Sequence, residues 1–253
     1  MKKVHSAYEY FKHRIFSKSM KSLDSIDVNP KIKAAFQDDR TTYALSAYFE
    51  IMDELLANKE KIQVEDKGAG SSKMGAVRRI SKIAKYAVLN EFDAAFLSSL
   101  LYFLAPKNVL ELGTSLGVSS LCMGLSAPKS EIHSVDACPQ THSEAANTLK
   151  TYAVDNVELH TMSFMDFLTS NQKKWDFVLL DGDHRYKQTL ELLEIIKPQL
   201  TDDAVILIDD IHWSPGMTKA WQKIINSKEF LSIDLYYFGL LMPGTGRYRL
   251  RFF

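Results

Sequence analysis

Residues 108–120 read Asn-Val-Leu-Glu-Leu-Gly-Thr-Ser-Leu-Gly-Val-Ser-Ser, and they narrow the fold further than any other stretch of the chain. Val109, Leu110 and Leu112 make a short apolar run interrupted by one acid, Glu111. Small residues then form a turn, and a helical pattern begins through Leu121 and Leu125. A buried strand, a glycine turn and a helix N-terminus are the parts of a nucleotide-binding βα unit. Glycines here let backbone approach a ligand closely, because no Cβ intervenes. A dinucleotide fingerprint requires G-x-G-x-x-G, whereas this turn has Gly113 and Gly117 with Ser115 where the middle glycine belongs. A carboxylate at the strand end also disfavours a phosphate. A ligand carrying an ammonium group and a ribose suits the turn better.

Strand and helix signals alternate from this point on. Strands are expected at 109–112, 131–136, 157–161, 176–181 and 204–209, with helices at 141–152, 186–197 and 217–226. Such alternation predicts a parallel, doubly wound sheet. The end of the chain breaks the pattern. Residues 231–238 and 248–253 read as strands around Pro243-Gly244-Thr245-Gly246, which predicts an antiparallel close to the sheet.

The N-terminal part reads as a helical extension. Tyr8, Phe11, Ile15 and Phe16 recur at helical spacing with Lys12, His13 and Arg14 between them. A basic amphipathic helix of this kind can rest on a membrane surface, but the plainer expectation is that its apolar face packs on its own domain. A break is expected at Asn29-Pro30, then a helix over 42–57 burying Leu45, Tyr48, Phe49, Met52, Leu55 and Leu56. Gly68, Gly70 and Gly75 make residues 64–76 either a plain connection or a mobile lid. A helix over 77–89 follows, with Val77, Ile80, Ala84 and Val88 on one face and Arg78, Arg79, Lys82 and Lys85 largely elsewhere, usually a solvated face and in the lesser reading an attraction for an anionic substrate. Another helix is expected over 92–104.

In sheets of this class ligands bind beyond the carboxyl ends of the strands, so the residues that end each strand carry the chemistry. Asp136 ends the second expected strand, where a carboxylate accepts hydrogen bonds from ribose hydroxyls; it would serve NAD equally, or cap the helix after it. Asp181-Gly182-Asp183-His184 ends the fourth and Asp209-Asp210-Ile211-His212 the fifth. Asp181, Asp209 and Asp210 are hard oxygen donors of the sort that hold Mg²⁺ or another divalent cation. His184 and His212 are the candidate bases, since an imidazole titrates near neutral pH.

Taken together, residues 108–253 resemble the class I S-adenosylmethionine-dependent methyltransferases, in detail the small-molecule O-methyltransferases of the catechol and caffeoyl-coenzyme A type. The resemblance implies that Glu111-Leu112-Gly113 opens the cofactor loop, with Gly113, Ser115 and Gly117 lining it. It implies that Ser119 contacts the methionine carboxylate, that Asp136 takes the ribose with the cofactor-side Ala137 following it, and that Ser163-Phe164-Met165 lies beside adenine. Asp181 falls on the family's metal-binding acid, which also lies next to the cofactor, and Asp209-Asp210 on its Asp-Asn pair. Two departures stand out: Asp210 replaces the asparagine, and His184 replaces the catalytic lysine. Residues 64–71 are similar to a bacterial methyltransferase group, a likeness that names no substrate.

The fold class expected is therefore α/β: a Rossmann-like, doubly wound, mostly parallel sheet with antiparallel C-terminal strands and a helical N-terminal extension. Residues 1–92 form the extension or lid and 93–253 the S-adenosylmethionine-binding domain. The expected activity is methyl transfer to a small-molecule hydroxyl, with S-adenosylmethionine as cofactor and a divalent metal as an open addition. Two alternatives remain: a non-catalytic cofactor-binding or assembly protein on the same scaffold, and an NAD-dependent oxidoreductase. The formal net charge of zero argues against a nucleic-acid partner. No apolar run is long enough for stable membrane insertion. The two cysteines, Cys122 and Cys138, lack metal-ligand spacing and fit a reduced, cytoplasmic protein. A homodimer is left open.

Overall fold

The computed structural model of the chain describes residues 2–40, 42–64 and 76–251. The loop expected at 64–76, a plain connection or a lid, falls almost wholly outside them. By contact the chain divides into two compact units, one of Met1–Asp27 with Leu168–Phe253 and the other of Val28–Phe167. The N-terminal residues thus sort into both units, whereas the sequence reading divides the chain once, after residue 92.

The first unit opens with α1 (Lys2–Phe16) and β1 (Lys18–Ser19). Here the structure reverses the expected facing of the helix. Glu9 and His13 are buried, while Tyr8, Phe11, Ile15 and Phe16 are 64–72% exposed. The cause is electrostatic: His13 Nε2 lies 3.3 Å from the buried carboxylate of Asp234 and 3.1 Å from its backbone oxygen. His5 reaches Thr218, and Ser6 meets Tyr236. A buried acid requires donors, and the polar face of α1 supplies them.

The second unit begins with α2 (Pro30–Phe36), started by Asn29, whose side chain accepts from Lys31 N, and by a proline at the first position. In α3 (Tyr43–Ala57) the buried face is Ala44, Ala47, Tyr48, Ile51 and Leu55; Phe49 and Leu56, expected inside, are exposed. Next, β2 (Lys61–Val64) pairs antiparallel with β3 (Ala76–Arg79). The helix expected from residue 77 therefore starts later, as α4 (Ile80–Ala87). The strand pairing claims residues 77–79, and Val77 is exposed. In α5 (Glu91–Leu104), Asn90 caps two backbone amides and Leu97, Leu100 and Leu101 are fully buried. No single described helix is long and apolar enough to cross a membrane. One bent pair, Ile80–Tyr86 with Glu91–Leu104, passes on length and composition, and residues 96–101 of α5 are buried inside its unit.

From β4 (Asn108–Leu112) the alternation runs through α6 (Val118–Ser126), β5 (Glu131–Asp136), α7 (Pro139–Thr151) and β6 (Val157–Thr161). The three strands are parallel in the order β4-β5-β6, with Leu110 opposite His133 and His133 opposite Glu158. Then comes α8 (Phe164–Ser170), which carries no clear signal in the sequence.

The chain returns to the first unit at Leu168, within α8, and continues with β7 (Trp175–Leu180), α9 (Tyr186–Ile196) and β8 (Leu200–Ile208). These strands pair in parallel, Leu180 opposite Ile208. After α10 (Pro215–Ser227) come β9 (Leu231–Asp234), β10 (Gly239–Met242) and β11 (Gly246–Arg251). The run expected as one strand over 231–238 divides in two. Tyr236 adopts a left-handed φ of 77°, its N–H donates to Asp234 Oδ1, and Leu235 N–H donates to Phe238 O. Both β9 and β8 flank β10 antiparallel, while β11 joins β9 in parallel and β1 joins β11. The architecture is an α/β, Rossmann-like methyltransferase fold: a mostly parallel sheet with antiparallel C-terminal pairings and N-terminal helices.

Candidate functional site

In the second unit the turn after β4 is built by three restraints. Gly113 (φ 124°) donates to Val135 O, holding the chain to β5 as it leaves β4. Ser115 stands in the left-handed region at φ 47°, and its N–H donates to Asp136 Oδ2 at 3.0 Å. Gly117 (φ 79°) precedes α6, and a Cβ there would lie 2.8 Å from Ala145 Cα on α7. The position that lacks the dinucleotide glycine thus takes a left-handed conformation anyway, at a cost of about 1–2 kcal/mol for an L residue. Backbone strain of this kind collects at functional turns.

Asp136 receives the N–H of Ser115 on one oxygen and that of Cys138, at 2.9 Å, on the other. It is half-buried; burial raises its pKa, and the backbone donors oppose that rise. Each carboxylate oxygen has a second lone pair, so the group can still accept two hydroxyls. Ala137 beside it is half-buried, as is Phe164 at the start of α8.

Glu111 is enclosed, with no exposed surface. Hydroxyls of Ser119, Ser120 and Ser134 donate to its carboxylate. Burial raises its pKa, and the three serines work against the rise. This corrects two expectations. Glu111 orders the loop from inside, and Ser119 spends its hydroxyl on Glu111 rather than on a ligand. The reason is that a buried carboxylate claims the nearest donors. What Ser119 retains is its backbone N–H, which with those of Val118 and Ser120 forms the first turn of α6, before any intrahelical acceptor. A carboxylate is well received at such a helix start.

The other predicted residues lie in the first unit. His184 Nε2 is 3.7 Å from Asp181 Oδ1 and 4.0 Å from Asp210 Oδ2, and its ring stands 5.9 Å from that of Trp213. Burial raises the pKa of Asp210, and the His184 charge opposes this. Asp209 is tied to β7 by its N–H to Leu180 O. Asp183 (φ 52°) and Asp210 (φ 57°) are left-handed, so the turns after β7 and β8 are strained like the turn after β4. Asp183 also clamps Arg185 with both oxygens, at 2.5 and 2.8 Å.

Asp181, Asp209 and Asp210 do not gather as a metal cluster. Among the described residues, the set that brings three ligand atoms within 4.8 Å of one another is His133, Glu158 and His160. The His184 imidazole stands beside Asp181 and Asp210 instead, where a cation was expected. Nor is His212 part of this group. Its Nε2 meets Asp234 Oδ2 at 3.0 Å, its Nδ1 meets Thr218 Oγ1 at 3.3 Å, and its ring stacks on Tyr236. With 4% exposure it is an internal ligand of Asp234, not a base open to substrate.

A strand ending in a strained turn, an acid pinned to that turn and a helix start receptive to a carboxylate stand where a βα unit of this kind can hold a ligand. Residues 110–211 match the profile of a family described as a methyltransferase domain. The fold is the Rossmann-like one of methyltransferases, and the family match is confined to residues 110–211. Among solved structures it is similar to a methyltransferase of Podospora anserina bound to S-adenosylhomocysteine, with a TM-score of 0.62, 14% identity, and coverage of 82% of this chain and 91% of that one. A putative caffeoyl-CoA O-methyltransferase of Staphylococcus aureus gives a TM-score of 0.57 and 16% identity over 65% of this chain and 88% of that one. An O-methyltransferase of Streptomyces achromogenes involved in tomaymycin synthesis, in complex with S-adenosylmethionine, gives 0.57 and 15% over 82% and 92%.

Proposed function

We propose that this protein transfers the methyl group of S-adenosylmethionine to a hydroxyl oxygen of a small molecule. The observation that carries the reading is the pairing of Asp136 with the Ser115 turn, which presents a ribose-accepting carboxylate from the same hydrogen bonds that shape the loop. The α6 start would take the methionyl carboxylate, Asp136 the ribose hydroxyls, and Ala137 and Phe164 the flanks of adenine. Bound there, the cofactor supplies an electrophilic methyl on a sulfonium. His184 would accept the hydroxyl proton of the acceptor, and the neighbouring Asp181 and Asp210 would stabilise the resulting imidazolium. The O-methyltransferases among the similar structures support an oxygen acceptor. Asp181, Asp209 and Asp210 do not fit a metal as they stand, so no step is assigned to one.

Calorimetric titration with S-adenosylhomocysteine tests the cofactor. We expect binding that Asp136→Ala weakens at least tenfold and that NAD⁺ does not compete away; no binding overturns the reading. A screen of phenolic and aliphatic alcohols with methyl-labelled cofactor tests the chemistry. His184→Gln should lower kcat about 10²–10⁴-fold with the S-adenosylhomocysteine affinity unchanged. Tight cofactor binding without turnover of any acceptor would favour a non-catalytic scaffold. A rate that rises with Mg²⁺, and loses that response in Asp181→Ala, would restore the metal to the strand-end acids.

A further inference from the structure

The cluster with metal-ligand spacing lies on β5 and β6, away from the turns that follow the strands. In the parallel register His133 sits opposite Glu158 and Val135 opposite His160, so His133, Glu158 and His160 project from one face. His133 Nδ1 is 2.9 Å from His160 Nε2 and 3.5 Å from Glu158 Oε2, and His160 Nε2 is 3.7 Å from Glu158 Oε1. Glu131, two residues before His133 on the same face, places Oε1 3.2 Å from His133 Nε2. Phe167 packs its ring 4.8 Å from that of His160. Glu131 and Glu158 also line an open depression of about 490 Å³, together with Lys129 and Asp155.

We propose that His133, His160 and Glu158 bind a divalent transition-metal ion, Zn²⁺ in the first place, at the edge of this sheet. Two imidazole nitrogens with one carboxylate oxygen select zinc or its neighbours over Mg²⁺ and Ca²⁺, which prefer all-oxygen sets. The Glu131 carboxylate on Nε2 keeps the proton there, leaving the Nδ1 lone pair aimed at the shared centre, the arrangement of a carboxylate–histidine–zinc triad. Tetrahedral zinc with bonds of 2.0–2.1 Å needs ligand atoms about 3.4 Å apart. Each imidazole is already near that spacing from one of the two Glu158 oxygens, so the exposed carboxylate needs to turn to present a single oxygen to both, and the imidazoles need to open by about 0.5 Å from their mutual hydrogen bond. Three protein ligands leave a fourth position for water.

His133 precedes Asp136 by three residues, about 10 Å along the strand, so this centre is separate from the cofactor turn. It clips the edge strand β6 to β5, and its role is to stabilise the unit rather than to assist methyl transfer. The inference does not rest on the activity proposed above.

The test is titration of chelator-treated full-length protein with Zn²⁺ against a chromophoric competitor, with Co²⁺ as a spectroscopic substitute. We expect one equivalent of Zn²⁺, a tetrahedral Co²⁺ visible spectrum, and a rise in Tm on Zn²⁺ addition. His160→Gln and the exposed-site change Glu158→Gln should each weaken binding at least tenfold and remove the Tm rise, and Glu131→Gln should weaken it about 10–100-fold. Asp181→Ala should leave the zinc affinity unchanged. If His160→Gln does not fold, Glu158→Gln decides alone, since its side chain is 63% exposed. Less than one equivalent, affinity unaltered by either change, or zinc lost in Asp181→Ala would overturn the proposal.

Discussion

Gly117 offers the most direct test of the cofactor turn. In Gly117→Ala the new residue would keep a φ of 79°, which costs an L side chain about 1–2 kcal/mol. Its methyl would lie 2.8 Å from Ala145 Cα, 2.9 Å from Ala145 Cβ and 3.3 Å from Ala145 O. These are largely backbone atoms of α7, held also by Thr148 Oγ1 donating to Leu116 O at 3.1 Å, so no flexible side chain can yield. Overpacking of that kind adds about 1–3 kcal/mol. The sum, about 2–5 kcal/mol, is a large part of the ordinary stability of a domain. Because α7 or the α6 start must shift, cofactor binding should suffer as well. Urea unfolding followed by circular dichroism measures the first effect, and calorimetry with S-adenosylhomocysteine measures the second. Gly216→Ala is the control: it lies in a helix, and its nearest atom is Ser214 Oγ at 3.6 Å, an ordinary contact. That change should stay within about 1 kcal/mol of the parent. If Gly117→Ala unfolds at the parent's urea midpoint and binds S-adenosylhomocysteine equally well, the turn is not built as argued.

Further outcomes follow from two buried groups, Asp234 and Cys122. Burial alone would raise the Asp234 pKa, but hydrogen bonds from His13 and His212, together with their charges, hold it well below the ordinary carboxylate range. A depressed carboxyl stabilises the fold above its unfolded-state value of about 3.9, and that contribution fades as pH falls through the folded value. The urea midpoint of the parent should therefore drop on acidification below about pH 4, and Asp234→Asn should lose that part of the slope; equal slopes would refute the account. Asp234→Ala, which strands His212, Trp221 and Arg249 as donors, should cost about 3–5 kcal/mol at neutral pH. Burial pushes the Cys122 thiol up to about 12, so iodoacetamide should leave it unlabelled in the native protein and label it after denaturation. Labelling at equal rates in both states would contradict that placement.

Much of the nucleotide-binding scaffold is legible from local pattern. The expected strands at 131–136 and 157–161 coincide with β5 and β6, and the turn at Gly113 and Gly117 falls where the small residues place it. Asn29-Pro30, expected only as a break, is where the capped helix α2 begins. These features depend on interactions within a few residues, which periodicity and turn chemistry report directly. The site was less legible. Glu111 and Ser119 stand where the resemblance puts ligand contacts, yet burial turns them toward each other. The pairing of Ser115 with Asp136 was also hidden, although a serine in place of the middle glycine hinted at a backbone needing outside support.

The sequence by itself therefore determined the alternating strands and helices, the strained turn and the acids that end the strands. The tertiary structure decided which acids keep open lone pairs and which are spent on neighbours. It turned the polar face of α1 inward, because Asp234, 221 positions beyond His13, needs donors. It also brought His133 to His160 across 27 positions through the register of β5 against β6. Local pattern records what a segment prefers, whereas a buried charge or a strand register is settled by partners distant in the chain.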